Sequence, residues 1–294
     1  MAAAPNLVAH PDGWRRLADP PTPAALKAFY AQEYFQQGHG TYAADYTEAE
    51  RAHRTLTAQT LLHAVQKVRA VPGGRLLEVG CGEGWLLAAA EAAGYDVRGL
   101  DFSDHGLRAF HPRLLPRVSF GDAFENLQRL IDDGASFDVV ALEHVLEHVL
   151  DPEALLGGLQ RLIAPGGVAV ITVPNDFSPL QQLARRTGAI DRDFWVAPPQ
   201  HLNYFDCASL RRFLGRLGFE LRLGYASFPI DWFLLHPGSN YVANPAAGKD
   251  AHRARMAIDL LLAEQGMDCC LALGEALFGC GAGRSLTVIA TSTP

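Results

Sequence analysis

Residues 75–101 read RLLEVGCGEGWLLAAAEAAGYDVRGLD, and their order decides the fold. Arg75–Val79 is a short apolar run, the length of a strand and too brief for a helix. Gly80, Gly82 and Gly84 then alternate with other residues, so the backbone can turn sharply. An Ala- and Leu-rich stretch follows and stops at Gly94, a common residue for ending a helix. Tyr95–Leu100 is a second apolar run, and Asp101 closes it. Strand, glycine turn, helix and strand make one β-α-β unit, which sets two parallel strands in one sheet.

The alternation continues on the downstream side. Phe102–Phe110 reads as helix, Arg117–Phe120 as a third strand, and a helix runs to about Asp132. Phe137–Leu142 is a fourth strand, Asp151-Pro152 opens a helix to Ile163, and Gly167–Val173 is a fifth, β-branched strand. A helix over Asp206–Leu217 leads to Phe219–Tyr225, and Ser285–Thr291 closes the chain. Strands that are apolar throughout are covered on both faces, so the reading is a doubly wound α/β domain.

Upstream, residues 1–20 read as irregular and 23–35 as a short helix. Thr47-Glu48-Ala49-Glu50 has capping-box spacing for a helix to about Arg69, and Pro72-Gly73-Gly74 ends it. The expected division is an N-terminal helical arm or lid over 1–74 and a sheet domain over 75–294. A 56-residue insertion, 229–284, interrupts that domain before its last strand. It begins with the aromatic and polar stretch Asp231–Asn244 and turns helical around Ala251–Phe278. Contact with an acceptor or with a second subunit of a homodimer is its expected use.

Composition narrows the class. The chain has 294 residues, 49% hydrophobic and 19% charged, which suits a soluble globular protein. No apolar stretch reaches the roughly 18 residues of a membrane span, and the N-terminus lacks a secretory pattern, so no membrane role is expected. A net charge of −7 argues against nucleic acid as a partner. The five cysteines (81, 207, 269, 270 and 280) have no regular spacing, which predicts free thiols in a cytoplasmic protein.

In an open parallel sheet ligands bind outside the carboxyl ends of the strands, so the residues after each run carry the chemistry. The Gly80–Gly84 loop is suited to close approach by a ligand, with the amides of the next helix facing it. Its third glycine comes one residue too early for the dinucleotide fingerprint, and Trp85 stands where that fingerprint needs close packing. Asp101 lies 21 residues beyond Gly80, where a carboxylate can accept both hydroxyls of a ribose, with Phe102 against an adenine.

Glu78–Gly84 together with Asp101 resembles the class I S-adenosylmethionine-dependent methyltransferases. Gly121-Asp122-Ala123 looks like the family's adenine contact, Phe137–Asp151 followed by Pro152 like its fourth-strand signature, and Pro165-Gly166-Gly167 like the turn before its fifth strand. Val173-Pro174-Asn175 and Gln200–Phe205 are similar to the branch that holds ubiquinone-type O-methyltransferases and other small-molecule methylases. The resemblance covers residues 40–228 and the final strand. It implies a Rossmann-like, mostly parallel seven-stranded sheet with the last strand antiparallel, and S-adenosyl-L-methionine as cofactor.

Carried over by position, the resemblance gives Glu78, Gly80, Cys81, Gly82 and Gly84 to the methionine end of the cofactor. Asp101 would take the ribose hydroxyls, Phe102 the adenine face, and Asp122 and Ala123 the adenine edge. Glu143 and His144 would border the sulfonium and the acceptor, while Tyr42, Tyr46 and Arg54 would close over the cofactor or meet its carboxylate. The implied reaction is methyl transfer to an oxygen or nitrogen of a small-molecule acceptor such as a secondary metabolite, a quinone or phenol, or a sugar. A hydroxyl acceptor must lose a proton, which makes His144, His148 and His201 the candidate bases, with His148 the more structural of them.

Each assignment has a plainer competitor. Asp101 and Asp122 could be ordinary helix caps. His144-x-x-Glu147-His148 also matches an inverted zinc-peptidase pattern on one helical face, but the surrounding Leu-Glu-His-Val-x-Asp-Pro frame is explained by the methyltransferase resemblance, so no metal is expected. His201 could simply hold its loop, and Asp191, Asp193, Trp195 and His236 could line the acceptor pocket or lie on ordinary surface. The rival functions are an NAD-dependent oxidoreductase on the same sheet, a nucleic-acid methylase, and a non-catalytic protein that binds the same cofactor. The net charge, and the absence of an Asn-Pro-Pro-Tyr-like run, disfavour the second.

Overall fold

In the computed structural model, which describes residues 5–32, 45–71 and 73–292, the chain opens with two three-residue strands, β1 (Leu7–Ala9) and β2 (Arg15–Leu17). Helix α1 (Pro23–Gln32) follows, and α2 (Glu48–Val68) starts where the capping-box spacing placed it. The Glu50 amide donates to Thr47 Oγ1 at 3.3 Å and the Thr47 amide to Glu50 Oε2 at 2.7 Å. The alternation then runs β3 (Gly74–Val79), α3 (Trp85–Ala92), β4 (Tyr95–Asp101) and α4 (His105–Phe110). It continues as β5 (Val118–Phe120), α5 (Ala123–Asp132), β6 (Phe137–Glu143), α6 (Pro152–Gln160) and β7 (Ile163–Pro174). Next come α7 (Pro179–Arg186), β8 (Asn203–Tyr204), α8 (Cys207–Arg216) and β9 (Phe219–Ala226). Helices α9 (Gly248–Glu264) and α10 (Met267–Cys280) precede the final strand, β10 (Ser285–Ser292).

Seven strands form the main sheet in the order β5-β4-β3-β6-β7-β10-β9. Pairs β3–β4, β3–β6, β4–β5 and β6–β7 are parallel, whereas β10 runs antiparallel to both β7 and β9. The sheet is therefore the expected one. Successive side chains of its strands point to opposite faces, and both faces are buried. Leu76, Val97, Val139, Ala141 and Ile289 join one apolar cluster, with Leu61, Leu62 and Val65 of α2 and Leu271 of α10. Leu77, Val79, Val140, Leu142 and Val288 join the other, with residues of α5, α6 and α8. Each fully buried leucine here contributes about 1.5–3 kcal/mol. Helix α2 and insertion helix α10 are thus part of the cover of the sheet.

Residues 1–20 are not irregular throughout. Leu7 pairs with Leu17, and Arg15 with Tyr204, so β1, β2 and β8 make a separate three-stranded sheet. Three residues carry too little alternation to announce a strand, and the partner of β2 is supplied from far along the chain.

Candidate active site

The strand order reverses between β3 and β6, which opens a crevice at their carboxyl ends. Gly80, Gly82 and Gly84 all have positive φ, at 76°, 51° and 81°. A Cβ on Gly84 would come within 2.5 Å of Leu107 Cδ1, so the helix start needs glycine for packing. Gly84 lines neither cavity described below. A Cβ on Gly80 would reach Val145 Cγ2 at 2.3 Å, which ties this loop to the one after β6. The Cys81 side chain is buried in the core, and burial pushes the thiol up.

Asp101 holds the glycine loop. Its Oδ2 accepts from the Gly82 amide at 2.7 Å and its Oδ1 from the Ser103 amide at 3.0 Å. It does not cap the following helix, where Asp104 occupies the cap position. A carboxylate offers about four acceptor sites, so capacity remains for a diol. Burial raises its pKa against the pull of the Ser103, Gly82 and Phe102 amides.

Two cavities meet here, with Gly80, His144 and His148 lining both. The smaller, of about 410 Å³, is a largely apolar slot between Leu26, Phe102, Ala123 and Val149, with Asp101 and Asp122 on its wall. Asp122 also caps α5, accepting from the Glu125 amide at 3.0 Å, so the cap reading holds beside the lining one. The larger, of about 880 Å³, runs from Tyr46, Arg54, Glu78 and Glu83 past Glu143 and Glu147 to His201 and Arg284. Glu78 is 4% exposed, and its Oε2 is buried with no hydrogen-bond partner among the described residues. Burial, then the charges of Glu143 and Asp101, hold its pKa well above the usual carboxylate range. Burial likewise raises Glu143.

Tyr46 and Arg54 clamp Glu83. The Tyr46 hydroxyl donates to Glu83 Oε1 at 2.7 Å, Arg54 NH2 donates to that hydroxyl at 2.6 Å, and Arg54 NH1 lies 3.2 Å from Glu83 Oε2. The clamp fastens α2 to the glycine loop. Tyr42 lies outside the described residues.

The histidines gather around Glu147, which is 1% exposed. His144 has a positive φ of 54°, uncommon for a residue with a side chain, and its Nδ1 lies 3.2 Å from Glu147 Oε1. His148 Nδ1 lies 2.6 Å from the Gln200 carbonyl oxygen, which only an N–H can satisfy. The His148 and His201 rings meet edge-on, 4.9 Å between centroids. Burial alone would raise Glu147, but its bond to His144 and the charges of His148, His144 and His201 bring it down to about 2. Desolvation pulls His144 down, yet Glu147 and Glu143 outweigh it and leave the imidazole raised. Burial, then the charge of His148, lowers His201 to about 4.

Residues 144–150 form a turn, so the helical face that an inverted zinc peptidase requires is absent. Glu147, His148 and His201 nevertheless offer one ligand atom each within 4.8 Å of one another, a grouping able to hold a metal ion. Asp191, Asp193, Trp195 and His236 line neither cavity. Asp193 pairs with Arg185 at 3.0 Å, Asp191 with Arg192 at 3.3 Å, Trp195 is buried against Phe177, and His236 is exposed. Sequence reasoning missed Arg284 and Arg255, which line the larger cavity. The antiparallel last strand was the available signal for Arg284, since the start of that strand must lie at the carboxyl ends of the others.

The donor set fits S-adenosylmethionine: a buried oxygen on Glu78 unpartnered among the described residues, a strand-end carboxylate for a diol, and an apolar slot beside it. Residues 49–223 match the family described as a methyltransferase domain, and the chain belongs to that family. It is an S-adenosylmethionine-dependent methyltransferase, and the nicotinamide oxidoreductase reading is set aside. A ubiquinone biosynthesis O-methyltransferase of Caulobacter sp. (strain K31) is 29% identical over 192 residues, 65% of this chain and 71% of that protein. One from Psychrobacter arcticus is 34% identical over 115 residues, 35% of this chain and 42% of its own length. The structure of Burkholderia thailandensis 1,6-didemethyltoxoflavin-N1-methyltransferase shares the fold, with a TM-score of 0.53 and 14% identity over 99% of this chain and 100% of that one. Among the described residues no helix is long and apolar enough to cross a membrane.

Proposed function

We propose that the enzyme methylates a hydroxyl oxygen of a small-molecule acceptor bound in the larger cavity. The observation that carries this reading is a single crevice with the glycine loop and Asp101 at one end and the His144–Glu147 pair beside it. The O-methyltransferase names of the two relatives support oxygen over nitrogen. S-adenosylmethionine, when bound, supplies a methyl group on a positively charged sulfur that is already a good leaving group. The chain's part is alignment and exclusion of water.

In this scheme Glu78 and the backbone of Gly80–Gly82 hold the methionine end. Asp101 takes the ribose hydroxyls, and Phe102, Asp122 and Ala123 enclose the adenine. Glu143 flanks the acceptor's approach. His144 is the base: Glu147 engages Nδ1 and fixes the ring, leaving Nε2 for the acceptor's proton. His201, lowered to about 4, stays neutral and borders the acceptor, and His148 is held by Gln200 in a positioning role.

The test is calorimetric titration of S-adenosylhomocysteine into wild type and Asp101→Ala. Two hydrogen bonds to an ionised carboxylate contribute about 1.5–3 kcal/mol each, so affinity should fall at least ~100-fold. Unchanged affinity would remove Asp101 from the site. Turnover on a panel of hydroxylated acceptors then separates an enzyme from a protein that binds the cofactor alone.

A further inference from the structure

We infer that the acceptor is an anion and that Arg284, with Arg255 lining the same cavity, docks its negative group. The inference rests on the methyl-transfer reading above and adds the acceptor's chemical class to it.

Arg284 reaches the site through topology. Strand β10 runs antiparallel to β7 with Ser285 opposite Pro174, so the residue just before β10 sits at the carboxyl end of the parallel strands. Its side chain is 22% exposed and lines the larger cavity. Its charge is felt by both His144 and His201, which places it within electrostatic reach of the reacting groups. Beneath it lies Asp176, whose Oδ1 is 3.2 Å from Arg284 NH1. Burial pushes that carboxyl up to about 7 against the pull of Arg284, so at neutral pH it cancels only part of the guanidinium charge, and Asp231 offsets a further part.

Arg255 comes from α9 of the insertion and lines the same cavity. Its NH2 meets His252 Nδ1 at 3.0 Å, and its Nε is buried with no hydrogen-bond partner among the described residues. The nearby Asp259 is engaged by His53 at 2.8 Å. Guanidinium groups lining one cavity can receive a carboxylate or phosphate, since each presents planar N–H forks that match such oxygens. An acceptor anchored there by its anionic end would extend its hydroxyl toward His144.

The experiment is calorimetry on enzyme saturated with S-adenosylhomocysteine, with benzoate, phenyl phosphate, benzamide and phenol as probes. At least one anion should bind ~10-fold or more tightly than the neutral probes, and the better anion tells carboxylate from phosphate. Arg284→Gln should erase the preference and Arg284→Lys should keep most of it. Arg255→Gln should weaken it, and that variant decides the matter if Arg284→Gln does not fold. Equal binding of anions and neutral probes, no anion binding, or a preference that survives both glutamine variants overturns the inference. Failure of S-adenosylhomocysteine itself to bind would instead strike the methyl-transfer reading, so the two failures are distinguishable.

Discussion

Replacing Asp176 by asparagine should make stability less sensitive to pH, and the surroundings of that carboxyl set the size of the change. Asp176 is 1% exposed, with Oδ1 beside Arg284 and Oδ2 buried with no partner among the described residues. Burial raises its pKa to about 7; Arg284 opposes the rise, and the charges of Glu147 and Asp231 add to it. An aspartate in the unfolded chain titrates near 3.9. Between these values the folded protein keeps a proton that the unfolded chain has lost. The stabilisation from this group is therefore greatest in acid, declines as pH climbs from about 4 to about 7, and is level above that. At 1.36 kcal/mol per unit, about 2–3 kcal/mol disappears between pH 5 and pH 8.

Asparagine has the same shape and still offers Arg284 an acceptor, but it cannot ionise. Its NH2 falls where Oδ2 lacks a partner, at a cost of about 1–3 kcal/mol that does not vary with pH. Urea unfolding of wild type and Asp176→Asn at pH 5, 6, 7 and 8 measures the gap between them. That gap should move in the variant's favour by about 2–3 kcal/mol, mostly below pH 7. A gap constant across the range would show that the carboxyl titrates normally, and the partial compensation of Arg284 would fall with it.

Glu147→Gln should lower the His144 pKa, because the bond and charge that raise it are lost; an imidazole titration followed by NMR that does not move would refute the pairing. His144→Gln should reduce kcat by about 100- to 10,000-fold while S-adenosylhomocysteine still binds, and a loss below about tenfold would remove His144 as the base. Gly84→Ala should destabilise by more than about 2 kcal/mol, from the left-handed backbone and the Leu107 contact together, and an unchanged Tm would show that both adjust.

The central β-α-β unit was legible because its signals are local. Short apolar runs, alternate glycines and a strand-end carboxylate leave one arrangement open, and Asp101 bonded to the Gly82 amide is that arrangement. Two other regions were not legible, for one physical reason. His144 to Leu150 has the spacing of a helix, yet distant residues take its backbone groups. The Leu202 and Asn203 amides donate to the Glu147 carbonyl at 2.7 and 3.1 Å, and the Asn203 side chain donates to the Leu146 and Val149 carbonyls at 3.1 and 2.8 Å. With those acceptors satisfied from elsewhere, the segment stays a turn, and the turn brings His148 to the His201 loop. The β1–β2–β8 sheet is hidden in the same way, since its closing strand comes from the same neighbourhood, Asn203–Tyr204.

The insertion reaches the cavity from the same end of the sheet as the glycine loop. It leaves the sheet at the end of β9 and returns at the start of β10, and the antiparallel pairing of those strands puts both points at the carboxyl end of the parallel ones. Segments added there therefore open onto the crevice whatever their length. Here α10 is anchored by its own packing, with Gly274 against Tyr225 and Leu271 in the core, while α9 carries Arg255 to the cavity wall. The glycine loop and Asp101 follow β3 and end β4, and Tyr46 and, from α2, Arg54 hold the loop through Glu83. Helix α9 also meets α2 through Asp259 and His53, so changes in 229–284 act both on the cavity wall and on the helix that holds Glu83.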